Sequence, residues 1–116
     1  MLRSAVAHYI EEEIGHHEWI LNDIAAAGGD AEAVRSSQAD FDTELMVAYA
    51  YDTVMRRNPV GLFGMVYVLE GTSVSLAANA AGALQLALDL PRSAFSYLSS
   101  HGALDIEHLG DFEQLV

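Results

Sequence analysis

The chain has 116 residues, 52% of them hydrophobic, a formal net charge of −12 and no cysteine. That length suits a single domain, residues 1–116, with a real core. The acidic balance excludes a surface built for nucleic-acid phosphates, and the missing thiols exclude disulfides, cysteine–zinc sites and thiol catalysis. Five histidines and 17 acidic residues leave metal chemistry through nitrogen and oxygen open.

Met1-Leu2-Arg3 leads into a segment with three consecutive glutamates, which is not the pattern of a signal peptide. The longest apolar stretch, Val60 to Leu69, is too short to span a bilayer. A cytoplasmic protein without a membrane partner is expected. Alternating strand patterns are missing, and alanine and leucine dominate, so the fold class is all-α.

A first helix is predicted over about residues 2–27, ended by Gly28-Gly29. At 100° per residue its apolar sector holds Leu2, Val6, Tyr9, Ile10, Ile14, Ile20, Leu21 and Ile24. Glu11 falls opposite that sector, Glu12 near its edge and Glu13 within it. His16 lies at one border and His17 inside. Glu13 therefore pairs with His16 at i, i+3, or with His17 at i, i+4. The Glu-x-x-His form is the ligand unit of carboxylate di-iron bundles. A solvated run explains Glu11, Glu12 and Glu18, but explains Glu13 poorly.

Residues 28–40 read as a polar surface connection with a short helical turn near Ala31 to Val34. A second helix is predicted over 41–57, capped by Asp40 or Asp42, closed by Arg56-Arg57 and stopped by Asn58-Pro59. A third runs over 60–88. Between Arg57 and Asp89 it holds one charged residue, Glu70. A helix apolar all round is a buried one, so that carboxylate needs a partner, a proton or a metal. Shorter helices follow at 93–100 and 102–114, with Gly102 as a candidate kink.

His101, Asp105 and His108 repeat at i, i+4, i+7 and share one helix face with Leu98, Phe112 and Leu115. Two histidines bonded at a helix end and a surface aspartate are the plain alternative. Together with Glu13, His16 and Glu70, the face supplies three carboxylates and three imidazoles. Such donors suit iron or manganese better than copper(I) or structural zinc. Six ligands suffice for two ions, with Glu70 expected as the bridge. A redox-capable pair in an apolar pocket is a site for activating dioxygen.

Glu13-Ile14-Gly15-His16, Tyr67-Val68-Leu69-Glu70-Gly71 and His101-x3-Asp105-x2-His108 occur in that order. They resemble the heme-oxygenase-like di-iron oxidases, also described as iron-containing redox enzymes of the TenA and PqqC-like superfamily. The resemblance spans about Tyr9 to Leu115. It implies a helical bundle, metal ligands at Glu13, His16, Glu70, His101, Asp105 and His108, and two non-haem iron ions. His17 remains the alternative to His16. The implied activity is dioxygen-dependent oxidation of a small organic substrate. The usual family bundle has seven helices and a considerably longer chain. A short or truncated member is therefore expected, with exposed apolar surface and a homodimer as its remedy. The rival readings are a metal-free TenA- or PqqC-like small-molecule binder and a non-catalytic helical assembly protein.

Overall fold

A computed structural model describes the backbone of residues 2–115, and the side chains of that span other than those of residues 2, 102–104, 107 and 111–115. Leu2, Phe112 and Leu115, assigned above to inward faces, lie outside the described side chains. The described backbone is helical: α1 (Leu2–Glu13), α2 (His16–Ala26), α3 (Ala31–Arg35), α4 (Phe41–Arg56), α5 (Gly61–Leu88) and α6 (Ser96–Leu115), with a 3₁₀ turn at Arg92–Phe95 before the last.

The first predicted helix is in fact two. Gly15 takes φ +92°, a conformation that costs glycine little and other residues more, and so ends α1 and opens α2. The break changes the phase between the two halves. Ile10 and Ile14, placed inward by an unbroken 100° wheel, are exposed. Two other boundaries also move. Asn58 accepts a hydrogen bond from the Val60 amide, so α5 begins at Gly61, one residue after the predicted start. A Cβ at Gly61 would stand 3.0 Å from Cγ2 of Thr53, so glycine lets α5 start against α4. The last two predicted helices are one, because α6 runs through Gly102 without interruption.

The caps follow the sequence. Asp40 accepts from the Thr43 amide at 2.8 Å at the head of α4, and Asp30 accepts from the Ala33 amide at 2.9 Å at the head of α3. Arg35 grips Glu18 with two bonds of 2.6 Å, tying α3 to α2.

α6 lies along α5, and α2 closes on α6 and the 3₁₀ turn. A small apolar core of Ala81, Ala94 and Phe95 is joined by Ala26, Leu90 and Leu98. α4 touches α5 and leaves Phe41, Leu45, Tyr49 and Met55 in solvent. The radius of gyration is 15.8 Å, against about 13 Å for a compact domain of this length. The apolar faces of α4 and α5 are thus exposed. By length and composition alone, α5 is also sufficient to cross a membrane, which the Val60 to Leu69 run is not. In this fold it packs on α6 and turns Glu70 inward.

Candidate metal centre

The interior of this bundle is polar to an unusual degree. Among the described residues Asp23, Thr53, Glu70, His101, Asp105 and His108 are buried alongside the apolar core. Asp105 is the most enclosed, at 2% exposure. Burying such groups is costly unless they are paired or bound to an ion.

Four helices and one break bring the candidate ligands together. The last turn of α1 presents Glu13, and the Gly15 break returns the chain so that His16 opens α2 beside it. Nδ1–H of His16 donates to Oε2 of Glu13 at 3.0 Å. α5 contributes Glu70. One face of α6 contributes His101, Asp105 and His108, as their spacing requires.

Two ligand groups result. Glu13, His16 and His101 form one, and Glu13, Glu70 and His108 form the other; within each, one donor atom per residue lies within 4.8 Å of the rest. Glu13 belongs to both. Its Oε2 faces His16 while its Oε1 stands 3.6 Å from Nδ1 of His108. Glu70 belongs to one group only, with Oε1 3.4 Å from Nδ1 of His108. Glu13, rather than Glu70, is thus the residue common to both groups. Asp105 joins neither group, although it is buried on the same face. His17 points to solvent, where it meets Glu18 at 3.2 Å, so the alternative to His16 lies outside the site.

The imidazoles are held in defined orientations. Nδ1–H of His101 donates to the Tyr97 carbonyl at 3.1 Å. A carbonyl only accepts, so Nε2 of His101 carries the free lone pair. In His108 the order is reversed: Nδ1 faces Glu70 and Glu13, while Nε2 stands 3.3 Å from Oε2 of Glu12. Aromatic rings close around these groups. Tyr97 lies over His101 at 3.9 Å, Trp19 over His16 at 4.2 Å, and Tyr9 meets His108 edge-on at 5.5 Å.

The charges are poorly compensated by the protein itself. Burial raises the Glu70 carboxyl above the ordinary range, against the opposing influence of the Tyr9 hydroxyl and His108, and Asp105 and Glu13 add to the rise. The Tyr9 hydroxyl is raised by burial and by Glu70, and that of Tyr97 by burial, Glu13 and Asp105. Both Glu70 oxygens, Oδ1 of Asp105 and Nδ1 of His108 are buried with no hydrogen bond of normal geometry. Glu70 and His108 face each other within one ligand group, and Asp105 lies on the same face of α6 as His108. A cation is the partner that would satisfy them together, and the oxygen and nitrogen donor set fits iron.

A family described as iron-containing redox enzyme, of the haem-oxygenase-like type, matches residues 1–116. The chain belongs to this family. Neither the curated proteins nor the solved structures gave a match. Membership of the iron-containing redox enzymes accords with the all-helical fold and with the two ligand groups.

Several residues of this family member's site were not singled out by sequence reasoning. Glu12 belongs by pattern to a solvated run, yet it faces His108. Tyr9 falls in the apolar sector by pattern, and its position four residues before Glu13 is the signal for the same helix face. Trp19 and Tyr97 lie three residues after His16 and four before His101, and the same periodicity would have found them. Asp23, discussed below, had no local signal at all.

Proposed function

We propose that the chain is a non-haem di-iron oxygenase or oxidase. Two iron ions would lie side by side, and the enzyme would oxidise a small organic substrate with dioxygen. The observation that carries this reading is the position of Glu13. A single half-buried carboxylate turns one oxygen toward each of two ligand groups.

In this reading Glu13, His16 and His101 would hold one ion, and Glu13, Glu70 and His108 would hold the other. Asp105 is the remaining anionic donor beside them. Two divalent ions would offset the three carboxylates, leaving a site easier to bury than the bare carboxylates. Bound there, iron supplies reversible electron transfer and the activation of dioxygen. The protein's own contribution is positioning and exclusion of water. Tyr97, Trp19 and Tyr9 pack against the three imidazoles and restrict their rotation. The Tyr9 hydroxyl, kept protonated by burial and by Glu70, is a proton held at the edge of the site.

Anaerobic titration with Fe(II), followed by Mössbauer spectroscopy, tests the reading. Two equivalents bound per chain, in two nitrogen and oxygen environments, are expected. Exposure to dioxygen should then oxidise both. A stoichiometry of one refutes the bridged pair, and no binding by a folded protein favours a metal-free small-molecule binder.

A further inference from the structure

Asp23 is buried on α2, 8% exposed, and no lysine or arginine pairs with it among the described residues. Its carboxylate is satisfied from the start of α6. Oδ1 accepts the Ser96 amide at 3.0 Å and also the Ser96 hydroxyl; Oδ2 accepts the Tyr97 amide at 2.8 Å. The first amides of a helix need such acceptors, normally supplied by the residue just before it. Here that residue is Phe95, which has none to offer. The cap comes instead from a helix 73 residues away in sequence, and its negative charge also suits the positive end of the α6 dipole.

The cap ends two contacts from a ligand. Tyr97 is held at its amide by Asp23; its carbonyl receives Nδ1–H of His101 and its ring covers that imidazole. Asp23 and His16 share α2 at i, i+7 and so lie two turns apart on one face. The Asp23 clamp at one end therefore sets the register at which the His16 and His101 rings meet, 4.8 Å apart, at the other.

We propose that Asp23 is the positioning residue for His101. By capping α6 from α2, it fixes the tautomer and the place of that imidazole in the Glu13–His16–His101 group. The proposal rests on the two-metal reading for its effect on iron, but not for its effect on the histidine. Among the described residues the contacts of Asp23 lead through Tyr97 to His101 and not to His108, so its influence is expected at one of the two groups. That asymmetry separates positioning from general support of the fold.

The Asp23→Asn variant keeps size and shape. Its amide cannot accept from both Ser96 and Tyr97, because one oxygen has become a donor. With wild-type helicity, it should bind the first Fe(II) normally and the second about 10- to 100-fold more weakly. Mössbauer spectra should show the loss in one iron environment. Wild-type affinity at both positions, or equal weakening at both, overturns the proposal. A second readout uses no metal. Imidazole nitrogen shifts of the metal-free wild type should show His101 protonated at Nδ1, and the Asn variant should show a mixture. An unchanged tautomer in the variant overturns the proposal whether or not iron binds. Should the variant not fold, the wild-type shifts decide, and Nε2 protonation at His101 is the overturning result. Absence of iron binding by the wild type refutes the two-iron reading alone.

Discussion

Glu12 stands against the outer nitrogen of His108, its Oε2 3.3 Å from Nε2, on the side of the ring away from Glu70. A carboxylate behind a ligating imidazole favours the tautomer whose other nitrogen faces the ion. On its far side Glu12 also meets the exposed His8, at 3.4 Å. Replacing Glu12 with Ala should weaken iron at the Glu13–Glu70–His108 position about 10- to 100-fold, the usual cost of losing such a partner. The Gln variant, which retains one acceptor oxygen, should lose less. Fe(II) titration reads both, and an Ala variant that binds as wild type would show Glu12 to be a bystander.

The shared position of Glu13 gives a second expectation. Glu13→Gln removes a donor from both groups, whereas Glu70→Gln removes one from a single group. Iron per chain should fall from two toward none in the first variant and toward one in the second. Equal stoichiometries in the two variants would restore Glu70 as the bridge.

Glu70 also makes a prediction about stability without metal. Its carboxyl is raised in the folded chain, chiefly by burial. A raised carboxyl favours the folded state at low pH, where it is protonated. That advantage fades as pH climbs past the unfolded value, about 4.3, and is lost once pH has risen through the folded value. Metal-free Glu70→Gln should therefore melt higher than metal-free wild type at neutral pH, with the gap closing near pH 4. Added Fe(II) should reverse the order, because only the wild type has the full ligand set. Thermal melts across pH with and without iron measure this, and a gap that widens toward acid would contradict the burial argument.

How much of this was legible in the sequence depends on whether the information was local. The His101, Asp105 and His108 face was readable because all three ride one uninterrupted helix at helical spacing. Glu70 was readable because it is the lone charge in a long apolar helix. The choice of His16 over His17 was not, since it depends on how the chain turns at Gly15, and a continuous wheel admits both. The same break defeated the inward assignment of Ile10 and Ile14 and the solvated assignment of Glu12. Asp23 lay beyond reach for a different reason. Its role exists only because α2 and the start of α6 meet, a relation between distant segments that no spacing rule expresses.

The break at Gly15 is itself open to test. Its φ of +92° suits glycine, and a Cβ built there meets nothing within 4 Å. An Ala substitution is therefore opposed by backbone strain and not by a clash. That strain is about 1–2 kcal/mol, or roughly 4 to 8 °C in melting temperature for a chain of this size. The variant has one way to relieve it, which is to join α1 and α2 into the continuous helix that the sequence pattern alone suggests. Joining them would swing Glu13 relative to His16 and pull the shared carboxylate away from one of its two groups. Gly15→Ala should thus lose iron out of proportion to its modest loss of stability, with helicity by circular dichroism unchanged or slightly increased. A variant that melts lower yet still binds two irons with wild-type affinity would show that the break serves chain geometry and not the site.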